Sequence, residues 1–343
     1  MHKLLSVVLL AVVLTVPAQA KTLKVATISP DGLGWIKKLR VGMKEVQTRT
    51  DGRVKFKLYP GGVQGDDSTV LRKMRIGQLH GGAVAAGTLT RFYPDLQLYN
   101  LPLQFRTFDE VDGVRQAMDA QIISGLADNG IFSFSLIETG FAYVLSNTPV
   151  RSIEDLRKVK AWVPDGDPIS VRILSHFDVS PIPLAITDVL AGLQTGLIDA
   201  VAVPPLVAIA LQWHNQVKYV TDMPVMYVYS TLALDKKSLR GVSAPDQAVM
   251  TEVLNQVLEE VDQDNRKDNL KAFDALLASG IERVPVTGEA LDRWRAVARQ
   301  SIEDLTASGD VSGAGVTAFD ELLQRARANS AQASLRQQTG TGE

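Results

Sequence analysis

Leu23-Lys24-Val25-Ala26-Thr27-Ile28, the stretch from Trp35 to Gln47, Val54-Lys55-Phe56-Lys57-Leu58-Tyr59 and the run from Asp66 to Ile76 decide the fold class. The two short runs alternate and are rich in β-formers. The two longer ones read as helices, the second with acids at its start and Arg72, Lys73 and Arg75 near its end, in keeping with the helix dipole. Strand, helix, strand, helix is the pattern of a parallel sheet with helices on its faces, so the chain is α/β. Ile131 to Ile137 and Ala142 to Leu145 are further apolar strand candidates.

A second α/β unit begins near Thr148. Ser152-Ile153-Glu154-Asp155 caps a short helical turn, Val159 to Val163 is a strand, and Pro164-Asp165-Gly166-Asp167-Pro168 is a loop leading into a helix from Ile169 to His176. Thr187 or Asp188 caps a helix through Gln194 that Gly196 closes. Leu197 to Val203 reads as a buried strand, and Pro204-Pro205 opens a helix ending near Trp213. The loops fall where open α/β sheets bind ligands, beyond the strands' C-terminal ends. Val228 to Leu234 is another strand. After it comes the longest helix candidate, Pro245 to about Leu277. Its apolar positions, among them Val253, Leu254, Val257, Leu258 and Val261, recur at three-and-four spacing. At ~1.5 Å per residue it is near 50 Å long, enough to run along two lobes. Ile281 to Val284 and Gly288 to Leu305, with Thr287 as cap, add a strand and a helix.

At the N-terminus, Met1-His2-Lys3, the apolar run Leu4 to Val16 and Pro17-Ala18-Gln19-Ala20 have the charge, greasiness and small-x-small ending of a secretory signal cleaved after Ala20. Its apolar part falls short of the ~20 residues that cross a bilayer. The mature chain is then long enough for two lobes. Removing Lys3 from 36 Lys+Arg leaves 35 against 38 Asp+Glu, so no general attraction to nucleic acid or anionic lipid is expected. Cysteine is absent, which excludes disulfides, thiolate nucleophiles and cysteine metal sites.

The search for enzyme chemistry is thin. No His-Glu-x-x-His, Gly-x-Ser-x-Gly or nucleotide-binding glycine fingerprint occurs, so no cofactor is expected. After the leader only His80, His176 and His214 remain, far apart in sequence. Asp165 and Asp167 flank a glycine, as paired acids or calcium ligands can, but a solvated turn explains them equally. Gly61-Gly62-Val63-Gln64-Gly65-Asp66 before a helix can cradle an anion. Asp66 and Asp67 oppose that, so a tight turn with an N-cap is the default.

Several pieces, in order and spacing, carry a resemblance. They are Gly61 to Asp66 leading to Arg75-Ile76-Gly77-Gln78-Leu79, Leu101-Pro102-Leu103-Gln104-Phe105, Gly140-Phe141-Ala142, Ser146-Asn147-Thr148-Pro149-Val150, Ser152-Ile153-Glu154-Asp155-Leu156, Lys160-Ala161-Trp162-Val163-Pro164 and Leu193-Gln194-Thr195-Gly196-Leu197-Ile198-Asp199. With them the chain resembles the extracytoplasmic solute receptors of tripartite ATP-independent periplasmic (TRAP) transporters, DctP-type family. The resemblance implies a two-lobed periplasmic-binding-protein-like fold with a long helix spanning both lobes, closing around one solute. It also implies delivery to large and small membrane permease subunits, and residence in the periplasm of a Gram-negative bacterium. The expected division is a leader at 1–20, lobe I from 21–142 plus 231–270, lobe II from 143–230 plus 271–320, and a flexible tail at 321–343.

The departures from the family pattern bear on the solute. Carboxylate-binding members commonly carry Arg in the Lys-x-Arg-x-Pro stretch, where its planar fork clamps the acid. Trp162 stands there, Ala142 stands at the Arg of the Gly-x-Arg stretch, and Val203 at a common Asn. A carboxylate buried without its cation costs several kcal/mol, so a neutral or largely apolar solute is expected, with Trp162 as a wall. An alkylammonium group facing the indole, with Glu138 or Asp165 as countercharge, fits the same reading. The competing reading has Trp162 packing the hinge and Arg172 or Arg91 taking an acid. Asp66, Trp35, Phe141, Tyr143, Trp213 and Tyr229 are further candidates for the ligand site. Reporting solute occupancy to a sensor is the alternative role from another class. A homodimer stays open, because the apolar face of the long helix and C-terminal region can be covered by a second copy or by the chain itself.

Overall fold

The computed structural model describes residues 20–339, with side chains through 332; the expected leader therefore lies almost wholly outside the described residues. In chain order the elements are β1 (Lys21–Ala26), α1 (Gly34–Arg49), β2 (Val54–Tyr59), α2 (Asp67–Arg75), β3 (Gly81–Ala85), α3 (Phe108–Asp128), β4 (Ile131–Ser146), α4 (Ile153–Leu156), β5 (Trp162–Pro164) and α5 (Pro168–His176). They continue with β6 (Ile182–Leu184), α6 (Val189–Thr195), β7 (Ala200–Val203), α7 (Pro205–Ala210), β8 (Tyr219–Thr221), β9 (Met226–Asp235), α8 (Ala244–Ala278), β10 (Glu282–Val284), α9 (Glu289–Ser308) and α10 (Gly313–Thr339).

Eight strands form one continuous sheet in the order β10-β8-β4-β9-β3-β1-β2, with β7 also on β4. Its key is β4. From Ile131 to Ala142 it pairs antiparallel with β9, and from Tyr143 onward with β7 and β8. One strand thus serves two lobes. Two strand candidates were expected here with a break at Glu138-Thr139-Gly140; the strand instead runs through, with a register shift between Glu138 and Gly140. Gly140 sits at φ +119°, a conformation L side chains rarely adopt, and a Cβ there would meet Asn269 Cγ at 2.8 Å. Asn269 of α8 in turn donates to Thr139 O at 2.8 Å and accepts from the Leu206 N–H of α7 at 3.2 Å, tying the bend to the second lobe.

The long helix is present with nearly the expected bounds. Ser243 caps it by accepting from Asp246 N–H, and its apolar face is buried within the chain. Met250, Val253, Leu254, Leu258 and Val261 pack on α1 and the first-lobe sheet, while Leu276 joins the second-lobe core around Trp213 and Val220.

α3 is absent from the sequence reading. Gly113 and Gly125 interrupt it, and each has a close neighbour: a Cβ would lie 2.9 Å from Ala326 Cβ and 2.5 Å from the Tyr93 ring. That close approach is what seats α10 on α3. The stretch from 321, expected as a flexible tail, continues this helix instead. Leu323 and Ala326 are buried, and Arg327 Nε donates to buried Glu110 at 3.0 Å. The α9 cap is also different from the expectation: Gly288, not Thr287, precedes the helix, and no side chain caps it. Among the described residues no helix is long and apolar enough to cross a membrane.

Candidate functional site

A cavity of about 880 Å³ lies between the lobes, reaching from the loop after β1, around Pro30 and Trp35, to Trp294 of α9. Its mouth is spanned where Ser68 Oγ, at the start of α2, donates to Asp165 O at 3.4 Å, in the loop after β5. The wall is mostly aliphatic and aromatic, because strand ends from both lobes converge there: Ala83 to Ala85 of β3, Val144 of β4, Trp162 to Pro164 of β5 and Ala200 to Val203 of β7.

Of the ten site residues expected from sequence, Trp162, Trp35, Asp66, Asp165 and Val203 line this cavity. Trp162 is only 7% exposed; its ring stands edge-on to Trp213 at 5.3 Å, and its Nε1–H donates to Leu184 O at 3.0 Å. Asp66 is committed to capping α2, accepting from Thr69 N–H at 2.8 Å. The preceding glycines, Gly61, Gly62 and Gly65, all have positive φ, so the segment is the tight turn with N-cap. Asp165 is exposed and takes part in no ion pair among the described residues.

The other five lie outside the lining, each for a packing reason. Glu138, expected as a countercharge, is fully buried behind β4. There it pairs with Arg266 at 2.7 Å and accepts from Tyr227 Oη at 3.3 Å. Burial pushes its carboxyl above the usual range, against the pull of Arg266. Phe141 packs on Phe108 at 4.9 Å and Tyr227 at 5.7 Å. Ala142 is fully buried, on the strand where β4 changes partners. Trp213 supports Trp162 from behind, and Tyr229 is sealed into the first lobe, its hydroxyl donating to Leu96 O at 2.7 Å. Alternation along a strand puts half its residues on the far face, and sequence alone does not say which half.

Charge in the wall is mostly spoken for. Asp167 caps α5 through Ser170 N–H, Asp264 holds Lys38 at 2.8 Å, and Asp310 pairs with Arg172, which is not itself in the wall. Arg91 is the lining cation without an ion pair among the described residues; burial and the nearby charges of Arg75 and Arg72 hold its pKa below the usual value. Asp67 lines the same wall. Its Oδ2 accepts from Ala85 N–H at 2.9 Å, and burial pushes its carboxyl up to about 6. Sequence reasoning treated Asp67 only as a charge beside Asp66 and missed Asn100 and Trp294. Neither carries a motif; only the fold brings them to one cavity.

No group of His, Asp and Glu fit to hold a metal occurs among the described residues. The histidines have separate partners: His80 accepts from Lys24 N–H, His176 faces Asp304, and His214 contacts Ala208 O. A two-lobed α/β fold that walls off a single cavity at its strand ends, crossed by shared strands and a long helix, is that of a solute-binding protein. Residues 26–308 match the family described as bacterial extracellular solute-binding protein, family 7, or DctP, and the chain belongs to it.

The relatives agree. The C4-dicarboxylate-binding periplasmic protein DctP of Rhodobacter capsulatus is 23% identical over 300 residues, 84% of this chain and 88% of that protein. The uncharacterized protein YiiZ of Salmonella typhimurium is 27% identical over 203 residues, 56% of this chain and 61% of that protein. The crystal structure of the sugar acid binding protein DctPAm from Advenella mimigardefordensis, in complex with galactonate, superposes with a TM-score of 0.81 at 17% identity. It covers 90% of this chain and 99% of that one, and so shares the fold. The chain is a TRAP-type solute receptor in fold and family, and a binding protein rather than an enzyme.

Proposed function

We propose that this chain is a periplasmic receptor for a small, neutral or largely apolar solute, which it delivers to the large and small membrane subunits of a TRAP permease. The observation that carries the solute class is Trp162. At the position where carboxylate-binding members clamp the acid, the wall offers an indole whose one donor is already given to Leu184 O. Val203 adds another apolar surface beside it. A carboxylate placed against that wall would lose its hydration without gaining a cation, at a cost of several kcal/mol. The mechanism is clamshell closure: the solute enters between residues 21–142 with 231–270 and residues 143–230 with 271–320, contacts from both favour the closed state, and the closed surface is what the permease reads. The leader-like N-terminus and the periplasmic relatives support secretion across the inner membrane of a Gram-negative bacterium.

A second reading has one observation in its favour. Arg91 is an unpaired cation in the wall, and DctP of Rhodobacter capsulatus is named for a C4-dicarboxylate while DctPAm was solved with galactonate. The test is a thermal-shift screen of mature protein against matched neutral, amine and carboxylate compounds. Stabilisation by neutral or amine members supports the first reading. Stabilisation confined to carboxylates, and lost in Arg91→Ala, replaces it with the second.

A further inference from the structure

Three buried side-chain polar atoms lack a hydrogen-bond partner among the described residues: Asp67 Oδ1, Asn100 Oδ1 and Trp294 Nε1. All three belong to residues of the one interlobe cavity. Buried polar groups are satisfied nearly everywhere in folded proteins, and one left over costs about 1–3 kcal/mol. Three leftovers gathered around one cavity are therefore groups whose partners arrive with a bound molecule.

Their arrangement has a polarity. Asp67 and Asn100 stand in the first-lobe wall and present acceptors. The Asn100 amide is fixed by its Nδ2–H, which donates to Tyr227 O at 3.2 Å, so its oxygen is the atom left over. Trp294 stands in the second lobe, 3% exposed, its ring tilted on Phe177 at 5.5 Å, and presents a donor. The second-lobe wall next to it is apolar: Val144, Leu156, Ile169, Ile173 and Phe177, all buried. The cavity volume, about 880 Å³, lies high in the ~300–1,000 Å³ range of pockets for drug-sized ligands, and a four-carbon acid leaves most of it unfilled.

We propose that the second-lobe end of the cavity is a tail pocket. It receives an aliphatic segment of the solute, and the Trp294 indole N–H donates to an acceptor oxygen at the end of that segment. A hydroxyl or amine at the other end of the molecule donates to Asn100 and Asp67. The solute class is thus an elongated molecule, polar at both ends and apolar between. This deepens the neutral-solute reading and rests on it.

The probes are straight-chain primary alkanols from hexanol to dodecanol and the α,ω-diols of the same lengths, titrated calorimetrically into the wild-type protein, Trp294→Phe and Ile173→Trp. Wild-type affinity should rise about fourfold per methylene until the pocket is full. Ile173→Trp should stop that rise at a shorter chain. The diols should bind at least as well as the alkanols in the wild type. Trp294→Phe should weaken the diols by about tenfold and spare the alkanols, since only the diols bury a far hydroxyl that then has no partner. A crystal structure of a wild-type diol complex gives a readout that needs no variant: the far oxygen should lie within hydrogen-bond reach of Trp294 Nε1.

No binding by any chain, or equal losses of alkanol and diol in Trp294→Phe, overturns the tail pocket, the latter pointing to a purely structural tryptophan. Neutral compounds that bind without chain-length dependence overturn it while leaving the neutral-solute reading intact. A carboxylate that binds tightly, needs Arg91 and ignores both substitutions sinks the neutral-solute reading and this proposal with it.

Discussion

The indole Nε1–H of Trp162 donates to the carbonyl oxygen of Leu184 at 3.0 Å, across the two-stranded β5–β6 sheet. Trp162 therefore faces the cavity as a ring alone, held in place by a bond to its own lobe and by the edge of Trp213 behind it. A residue anchored in this way is wall and core together.

Trp162→Ala should accordingly cost about 3–5 kcal/mol of folding stability as well as solute affinity, because it empties a packed site against Trp213. Trp162→Phe should cost much less, since Leu184 O also accepts from Asp165 N–H at 3.0 Å and keeps a donor. Urea unfolding midpoints of the two variants check the order.

Arg91→Ala should change the affinity for the native solute by less than about fivefold, the scale of an exposed charge without a fixed partner. A carboxylate clamped by Arg91 would lose far more. Isothermal titration distinguishes the two.

The ion pair of Arg266 with Glu138 lies beneath the strand that joins the lobes. Glu138 is fully buried and Arg266 is not, so Arg266→Met strands a carboxylate and should cost about 3–5 kcal/mol. Adding Glu138→Gln to that variant should recover part of the loss, a result that urea titrations of both variants will show.

Asp67 gives stability a pH dependence of known sign. Its folded pKa, about 6, lies above the ordinary 3.8. The folded chain binds that proton more tightly than the unfolded chain does, so the contribution is present below the ordinary value and is lost as pH rises towards 6. Asp67→Asn should flatten the fall in stability across that window, measured by unfolding midpoints at several pH values. Glu138, Asp119 and Asp320, raised for the same reason, leave the remainder of the slope.

Much of the fold was legible because it rests on periodicity. The strands and helices of the first 76 residues, and α8, follow from alternation and three-and-four spacing. What escaped depends on tertiary partners. Gly140 looked like a strand break, yet Asn269 holds the strand in its bend. Gly113 and Gly125 looked like helix breakers, yet they let Ala326 and Tyr93 approach α3.

The site was legible in part for the same reason. Trp162, Val203 and Trp35 could be assigned to the cavity from the family pattern and their loops. Glu138 and Tyr229 could not be excluded, because their alternating strands hide which face meets the cavity. Trp294 is one apolar position on an amphipathic helix, and nothing in its neighbours marks its unpaired donor.

The account's central claim is the class of solute, and native mass spectrometry of the mature protein, purified without refolding, tests it most directly. Denaturation should release a neutral or amine-bearing, largely apolar molecule whose mass matches the shift of the folded protein. Release of a carboxylic acid instead would contradict the claim, and would put Arg91 where this account puts Trp162.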